Sequence, residues 1–242
     1  MVYRYLRDVY AMQALESGYW KVGRISELND PMDCSPGWSH PDPDVEATVV
    51  GMMGKYGILC YSETVTDPVL WSHYSDSHRG MALGFDFPEH EAPLEVRYAE
   101  DNAKAILDSI EVRKLLESIE AAPQKGHKVV ILNQALARFI QDGYTTKAKS
   151  WKYEREQRHF IKLASCSLRW PHYFRKAPWE HLRKIVIGAK SIVSFDEVDC
   201  IVRDSPHLNE AVIAGLQILR ARTQEMSYNL ELVDGSGRSA LG

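Results

Sequence analysis

The chain has 242 residues, of which 45% are hydrophobic, and this length and composition predict one globular domain with a sizeable core. Its 29 basic and 33 acidic residues are interspersed and give a formal net charge of -4, which excludes the overall positive charge typical of phosphate-backbone binders. No stretch approaches the roughly 18 apolar residues of a membrane span, and residues 1–10 lack the apolar run of a signal peptide. We therefore expect a cytoplasmic protein without a membrane partner.

The cysteines carry no motif. Cys34, Cys60, Cys166 and Cys200 are far apart and form neither a CxxC pair nor a zinc-finger spacing. A disulfide framework is typical of short secreted chains, so we expect four reduced thiols in the core.

Strand and helix signals alternate near the N-terminus. Tyr3-Arg4-Tyr5 predicts a short strand, and residues 9–15 show an apolar helical repeat that ends at Gly18, a typical C-terminal cap. Residues 19–22 predict a second strand. Asn29-Asp30-Pro31 predicts a turn, because Asn and Asp bond to their own backbone and Pro fixes φ.

The following segments predict a loop over residues 36–43, a helical repeat over 45–56 and a buried strand over 58–61. Alternating apolar residues at Met81, Leu83 and Phe85, and again over 94–98, predict two strands, which we expect to pair as a hairpin.

The rest of the chain continues this mixture. The predicted elements are helices over 106–116 and 129–140 (the second stopped by Gly143), strands over 159–163 and 185–188, helices over 195–202 and 211–216, and a closing hairpin of 218–223 with 228–232. We expect a single α+β domain over residues 1–234, with mixed, largely antiparallel sheets and peripheral helices. The Gly/Ser-rich residues 235–242 predict a disordered tail.

The first polar cluster is Tyr3-Arg4-Tyr5 with the Asn29-Asp30-Pro31 turn. The planar guanidinium of Arg4 suits bidentate binding of a phosphate or carboxylate. A surface arginine on an edge strand, with a structural turn nearby, fits the same residues, and the sequence leaves both interpretations open.

The second cluster joins Cys60-Tyr61-Ser62-Glu63 to a short helix that begins at Asp67-Pro68. On that helix Trp71, Tyr74 and His78 fall at positions i, i+3 and i+7, a spacing that predicts one shared face. Gly80 is predicted to end the helix. Aromatic faces beside a hydroxyl suit a flat heterocycle. His73 and His78 are five residues apart, a poor chelating spacing on a helix, so we predict no metal site.

The third cluster runs from Trp151 to Arg158. If it is extended, Glu154, Glu156 and Arg158 project on one face, and the arginine holds the two carboxylates ionised. If it is helical, Glu154 and Arg158 form an ordinary i,i+4 ion pair on a solvated face, which composition favours.

Together these clusters resemble a widespread bacterial family of proteins that carry a domain of unknown function. The matching elements are Tyr3 and Tyr5, Asn29-Asp30-Pro31, Trp71-Ser72-His73-Tyr74 with His78 and Gly80, and Trp151, Tyr153, Glu154, Glu156 and Arg158. The chain departs from the family pattern at Met32-Asp33, where an aromatic residue and Glu are expected, and this departure counts against a role for Asp33.

The order of an Arg on the first strand, a Ser that ends a middle strand and a Glu-x-Glu before a later strand also resembles ADP-ribosyltransferases. That resemblance implies an ADP-ribosyltransferase-like fold and NAD as substrate, with a protein or nucleic-acid acceptor. It also implies a toxin or phage-defence setting with an antitoxin or other regulatory partner. It implies that Arg4 grips the pyrophosphate, Ser62 braces the nicotinamide side and Glu156 is the catalytic carboxylate. The remaining implied site residues are Glu154 and Arg158 beside Glu156, Tyr74 or Trp71 stacked on the nicotinamide ring, and Tyr5 and His73 around the cofactor.

Two other functions fit the same residues. A metal-independent, nuclease-like toxin would use His73 or His78 as general base and Arg4 or Arg158 to bind phosphate, with Lys147, Lys149, Lys152 and Arg155 as a modest basic cluster. A non-catalytic module would sense a nucleotide or bind a partner. The spatial relation of Arg4 to Glu156 separates catalysis from plain binding.

Overall fold

The computed structural model describes residues 1–30, 32–34, 51, 54–100 and 141–239. Strands and helices alternate irregularly over these segments. None of the helices in the described part of the chain is long and apolar enough to cross a membrane.

The strands are β1 (Val2–Leu6), β2 (Tyr19–Arg24), β3 (Tyr56–Ser62), β4 (Met81–Phe85), β5 (Leu94–Glu95), β6 (Arg97–Ala99), β7 (Thr146–Ala148), β8 (Glu156–Lys162), β9 (Ser167–Arg169), β10 (His172–Lys176), β11 (Leu182–Ile187), β12 (Gln217–Thr223) and β13 (Leu230–Val233). The α-helices with described bounds are α1 (Asp8–Ser17), α2 (Pro68–Tyr74), α3 (Phe195–Asp204) and α4 (Glu210–Gly215). Short 3-10 helices span Ile25–Glu27, Glu89–Glu91, Lys149–Glu154, Leu163–Ser165 and Trp179–His181.

One open sheet organises the fold. Within the described segments its order is β13-β12-β11-β4-β1-β3-β2-β10-β9, and β8 adds to β3 while β5 adds to β8. Its pairings are antiparallel except for β11 with β12, and a separate parallel pair joins β6 to β7. The architecture is therefore mixed α/β with a largely antiparallel sheet, as the alternating sequence pattern predicted.

Helices cover both faces of the sheet. Residues of α1, α3 and α4 pack with Val2, Leu83 and Ile185 in the main core, whereas Trp71 of α2 packs with Tyr3, Ala82 and Val186 on the opposite face. Neighbouring strand residues therefore enter different cores, which explains why all five residues of β4 are buried and why its sequence is almost entirely apolar.

Local signals located most described elements. Gly18 ends α1 with φ 78, a left-handed conformation that suits glycine, and Asp67 caps α2 by accepting from the Val69 N–H at 2.8 Å. The closing hairpin is confirmed, since β12 pairs antiparallel with β13. The Asp30 carboxylate accepts from the Met32 N–H at 2.9 Å, as expected for the predicted turn.

The predicted hairpin of residues 81–85 with 94–98 is wrong. β4 pairs with β1 and β11, β5 pairs with β8, and β6 pairs with β7. Alternation predicts that a segment is extended, but it does not choose the partner. Here the segment between the strands contains Pro88 and a 3-10 helix instead of a tight turn.

His78 does not share a helical face with Trp71 and Tyr74. The helix α2 ends at Tyr74, and Asp76, Ser77 and His78 all have positive φ. The Gly80 N–H donates to the Ser75 carbonyl at 2.8 Å, which closes this loop directly after the helix. The spacing of Trp71, Tyr74 and His78 over two helical turns therefore did not predict where the helix ends.

Several predictions fall on residues that the structure does not describe. These are the loop 36–43, most of the helical repeat 45–56, the helices 106–116 and 129–140, Pro31, and the end of the predicted tail. Tyr56, the last residue of that repeat, lies in β3. Residues 141–144 are helical, so the predicted helix end at Gly143 is wrong by one residue. Val233 forms an isolated bridge with Ser239.

The cysteines are all free, but they are not all in the core. Cys34 is buried, Cys60 and Cys166 are half-buried, and Cys200 is exposed. Cys200 lies on α3, whose buried residues are Val198 and Val202, so the helical period turns it to solvent.

Candidate functional site

A fork between strands creates the central feature of the site. One edge of β3 pairs with β8 along its whole length, from Tyr56 to Ser62. The other edge is shared, because β2 pairs with Gly57 and Ile58 while β1 meets β3 only at Ser62. Strands β1 and β2 therefore diverge beside the middle of β3.

The Arg4 side chain occupies this fork. Its Nη2 donates to the Lys21 carbonyl at 3.1 Å, and its guanidinium carbon lies 4.9 Å from the centre of the Trp20 ring. The Nε–H is buried without an acceptor, and none of the carboxylates in the described segments forms an ion pair with Arg4. Burial lowers the pKa of this guanidinium, so a bound anion would supply the counter-charge that the fork lacks.

The fork opens into a cavity of about 310 Å³, at the lower end of the roughly 300–1,000 Å³ range of ligand pockets. Tyr3, Arg4 and Tyr5 line it from β1, and Ile58, Cys60, Tyr61 and Ser62 line it from β3. The remaining wall includes Asn29, Asp33, Tyr74, Lys147, Glu154 and Glu156. The cavity is mainly apolar and aromatic, with charged groups confined to particular walls.

The wall formed by β8 contains a buried ionic cluster. Arg158, with a side-chain exposure of 0%, donates through Nε to Glu156 Oε1 at 2.7 Å and through Nη2 to Asp33 Oδ2 at 2.7 Å. Its Nη1 donates to the Tyr144 carbonyl at 2.7 Å. These contacts settle the conformation of the third sequence cluster: Glu156 and Arg158 share one face of a strand, and the i,i+4 pair of Glu154 with Arg158, which composition favoured, is wrong.

Lys147 is the second cation of the cluster. Its ammonium contacts Glu154 Oε2 at 2.5 Å, Glu156 Oε2 at 3.0 Å and Asp33 Oδ2 at 3.3 Å. Burial opposes the charge, but the three carboxylates outweigh it and raise the pKa of Lys147. The cluster therefore holds three carboxylates against two permanently charged cations.

Backbone geometry brings the two glutamates together. Glu154 ends a 3-10 helix, Arg155 adopts a left-handed conformation with φ 44, and Glu156 begins β8. The left-handed conformation of Arg155 allows both glutamate side chains to point towards Lys147. Alternation of side chains along a strand would also have placed the two glutamates on one face. The strand β8 begins only at Glu156, however, so Glu154 is not part of it.

The two glutamates have different proton affinities. Burial would raise the pKa of Glu156, but the charge and hydrogen bonds of Arg158 outweigh it and lower the pKa to about 2. For Glu154 burial prevails over Lys147 and raises the pKa. The Tyr74 hydroxyl donates to Glu154 Oε1, and the Asn29 amide donates to the Tyr74 oxygen at 3.2 Å. The cavity thus presents one ionised carboxylate beside one that binds a proton more tightly.

Ser62 is a structural contact at the rim of this arrangement. Its hydroxyl donates to the Glu154 carbonyl at 2.6 Å and accepts from the Thr64 N–H at 3.1 Å. Ser62 therefore attaches the 3-10 helix that contains Glu154 to the end of β3.

Six of the sequence-predicted site residues line the cavity: Arg4, Tyr5, Ser62, Tyr74, Glu154 and Glu156. Arg158 does not line the cavity, but it donates hydrogen bonds to Glu156, which does. Trp71 is fully buried, its indole N–H donates to the Val65 carbonyl at 2.7 Å, and its ring meets Tyr5 edge-on, so it supports the wall instead of presenting a stacking face.

The histidines lie elsewhere. His73 is exposed and its Nδ1 is 3.2 Å from the Tyr153 hydroxyl, while the His78 carbonyl accepts from the Lys190 N–H at 2.9 Å. Neither lines the cavity, so the histidine general base that the nuclease-like alternative requires is not found there. Among the described residues no group of His, Cys, Asp and Glu could hold a metal ion.

Sequence reasoning missed two members of the site. Asp33, which the departure from the family pattern had counted against, is buried between Arg158 and Lys147. Lys147 was grouped with Lys149, Lys152 and Arg155 as a basic cluster, but it is buried while the other three are exposed. Only the position of Asp33 next to the Asn-Asp-Pro turn offered a signal.

Comparison with known proteins finds a similarity over part of the chain. The model of the family described as Protein of unknown function (DUF2971) matches residues 70–159. This range includes most of α2, with Tyr74, and the segment from Trp151 to Arg158, but not Arg4 or Asp33. No curated protein matches the chain, and no solved structure does.

Proposed function

We propose that this protein binds NAD in the Arg4 cavity and cleaves its nicotinamide glycosidic bond, with transfer of ADP-ribose to an acceptor or to water. The observation that carries the proposal is that Arg4 and the Glu154–Glu156 pair line one cavity, although they come from distant parts of the chain. The same order of Arg, Ser and Glu on successive strands supports an ADP-ribosyltransferase-like fold, by analogy alone.

Charge distribution supports this ligand class. Arg4 provides an unpaired cation in the fork, whereas the opposite wall holds Asp33, Glu154 and Glu156 against Lys147 and Arg158. A molecule with an anionic phosphate and a cationic ring complements both walls. The nicotinamide mononucleotide half of NAD has this distribution, and a cavity of about 310 Å³ suits one half of the dinucleotide better than the whole.

The chemistry assigns different tasks to the two glutamates. When the bond between the ribose C1′ and the nicotinamide nitrogen breaks, its electron pair leaves with neutral nicotinamide, and positive charge develops on the ribose. An ionised Glu156 stabilises that charge as it appears. The acceptor lone pair then bonds to C1′, and Glu154 takes the acceptor proton. Tyr74 offers its ring to the nicotinamide and Tyr5 completes the aromatic wall.

Release of nicotinamide from NAD, followed by chromatography, tests the proposal. Glu156→Gln should reduce the release by at least about a hundredfold, the scale of lost electrostatic stabilisation at a transition state. Glu95→Gln is the matched control, because Glu95 is exposed on the neighbouring strand β5. Since Glu156→Gln also disturbs buried ion pairs, its thermal unfolding is measured in parallel, and only a folded variant is scored. The proposal is wrong if the wild-type protein releases no nicotinamide with water, nucleic acid or a protein extract as acceptor.

Toxicity extends this test to the biological setting. If the activity serves as a toxin or in phage defence, expression of the wild-type chain should arrest growth while Glu156→Gln does not, and a regulatory or antitoxin partner would be needed to restrain it. Equal growth of both strains, with NAD levels unchanged, would remove this part of the proposal.

A second candidate function is nucleotide sensing without catalysis. The observation that favours it is the full pairing of Glu156, whose two oxygens accept from Arg158 and Lys147. Calorimetry separates the two functions: tight binding of NAD without nicotinamide release would favour the sensor.

A further inference from the structure

A second cavity lies on the other face of the sheet. It has a volume of about 540 Å³, and Leu59, Tyr61 and His159 line it, whereas Cys60, Ser62 and Glu156 line the first cavity. Successive strand residues point to opposite faces, so these two sets separate the cavities across β3 and β8. Tyr61 borders both.

The partition between the cavities contains hydrogen-bond donors without acceptors. The Arg4 guanidinium lies over the Trp20 ring, and the Trp20 and Tyr61 rings are 6.3 Å apart. Trp20 lines the second cavity, is only 3% exposed, and leaves its indole N–H without an acceptor in the described part of the chain. The Arg4 Nε–H is unsatisfied in the same way. Buried N–H groups of this kind usually have a partner, and here an external acceptor would provide one.

Arg175 brings a positive charge to the same place. It stands directly opposite Trp20 in the pairing of β10 with β2, so both side chains lie on one face of the sheet. Arg175 is exposed, lines the second cavity, and forms no ion pair with a described carboxylate. Glu91 and Glu180 also line this cavity, but the Glu91 carboxylate is held by His181 Nε2 at 2.9 Å.

The other polar groups nearby are already paired. The Glu91 carbonyl can only accept, so His159 donates to it through Nε2 at 2.8 Å, and His159 Nδ1 accepts from the Tyr61 hydroxyl. Burial, together with Arg175 and Arg4, lowers the pKa of His159, so its ring is neutral near pH 7. Apart from the exposed Glu180 carboxylate, the groups that remain for a ligand are therefore N–H donors and cations.

We propose that this second cavity binds a small oxyanion that carries a flat ring, such as an aromatic phosphate or carboxylate. The oxyanion lies between Arg175 and the Trp20 indole N–H, and the ring packs against Phe87 and Tyr61, which also line the cavity. A guanidinium beside an indole N–H favours an anion, and aromatic walls favour a ring over bare inorganic phosphate. This site is independent of NAD cleavage.

Calorimetry with phenyl phosphate, benzoate and inorganic phosphate tests the site. Phenyl phosphate or benzoate should bind more tightly than inorganic phosphate, and added salt should weaken binding because Arg175 is exposed. Arg175→Ala should weaken binding by about tenfold or more, the scale of a charged hydrogen bond. The control is Arg203→Ala, which removes an equal charge from an exposed position on α3.

A second variant tests the indole N–H of Trp20, which lies between the two cavities. Trp20→Phe keeps an aromatic ring but removes the indole N–H, so it should also weaken phenyl phosphate binding, and its thermal unfolding shows whether it is folded. The proposal is overturned if none of the three anions binds in the millimolar range, or if Arg203→Ala weakens binding as much as Arg175→Ala.

Discussion

The guanidinium of Arg158 donates to the carboxylate of Asp33 across 2.7 Å, and the two residues are 125 positions apart in the chain. The side chains are 0% and 2% exposed. This pair fastens the segment after the Asn-Asp turn to β8, and it thereby fixes one side of the first cavity. A buried ion pair adds little net stability compared with apolar residues, but the loss of one partner leaves the other charged and uncompensated.

We expect Asp33→Asn to lower the free energy of unfolding by about 3 kcal/mol, because Arg158 and Lys147 lose a shared counter-charge in a buried site. Chemical denaturation measures this change. Asp199→Asn is the matched control, since Asp199 forms an exposed i,i+4 pair with Arg203 and its loss should cost no more than about 1 kcal/mol. Equal costs for the two substitutions would mean that Asp33 is not part of a buried cluster.

The sequence grouped three of the five residues of this cluster, namely Glu154, Glu156 and Arg158. Glu156 and Arg158 are two residues apart, so the extended alternative for this segment placed them on one face by the period of two, although composition favoured the helical alternative. Asp33 and Lys147 join them only through tertiary packing. The sequence neighbours of Lys147 resembled those of a surface lysine and did not indicate burial. No sequence period connects a residue after a turn to a strand so far along the chain, which is why the buried partners were missed.

Arg4 provides a direct test of the ligand-binding fork. We expect Arg4→Lys to weaken binding of nicotinamide mononucleotide by about tenfold or more, because lysine keeps the charge but loses the planar fork. Calorimetry measures the affinity. Arg7→Lys is the control, since Arg7 follows the same strand but forms an exposed ion pair with Asp76. Unchanged affinity in Arg4→Lys would show that the guanidinium does not contact the phosphate.

Acid stability should report the pairing of Glu156. Its folded-state pKa of about 2 lies below the ordinary value of 4.5, so its contribution is complete above pH 4.5 and is lost as the pH falls towards 2. Glu27, whose pKa is also lowered to about 2 by hydrogen bonds from Arg24 and Lys21 against the effect of burial, contributes with the same sign. Glu154 has the opposite sign because its pKa is raised.

The measurement is the free energy of unfolding from about pH 6 down to about pH 2, a range that covers the interval between the ordinary pKa of 4.5 and the lowered pKa of Glu156. The wild-type curve should fall more steeply with acid than the curves of Glu156→Gln and Glu27→Gln, each of which removes one titrating carboxyl. Curves of the same slope for wild type and Glu156→Gln would show that the native and unfolded states bind protons equally at this position.

Tyr74 should tune the second glutamate. Its hydroxyl donates to Glu154 and favours the ionised carboxylate, so Tyr74→Phe should raise the pKa of Glu154 further. Carbon-detected NMR titration of the glutamate carboxyl carbons measures this without reference to any activity. Tyr153→Phe is the control, because the Tyr153 hydroxyl contacts His73 instead. A lower Glu154 pKa in Tyr74→Phe would contradict the hydrogen-bond assignment.

Strand positions followed from sequence more readily than strand partners. Alternation and apolar runs located β3, β4, β8 and β11, since each reflects burial of one or both faces. Pairing depends on which strands meet across the sheet, and β4 lies between β1 and β11, which are separated from it by long stretches of chain. The fork that holds Arg4 likewise arises from strand pairing, because β1 and β2 share one edge of β3, so no local pattern could have predicted it.

The loop after α2 depends on close packing against the end of β11. Gly188 donates its N–H to the Gly80 carbonyl at 2.8 Å, and an added Cβ at Gly188 would lie 2.3 Å from the His78 carbonyl oxygen. The clash is with backbone atoms of a loop in which Asp76, Ser77 and His78 already have positive φ, so small rearrangements cannot relieve it.

We therefore expect Gly188→Ala to lower the free energy of unfolding by about 1–3 kcal/mol, the usual cost of overpacking. Gly215→Ala is the matched control. Nothing lies within 4 Å of a Cβ at Gly215, which ends α4, so this substitution should be neutral or stabilise by up to about 1 kcal/mol through the unfolded chain. Chemical denaturation of both variants decides the matter. A Gly188→Ala variant as stable as Gly215→Ala would mean that the loop carrying His78 does not pack on the end of β11.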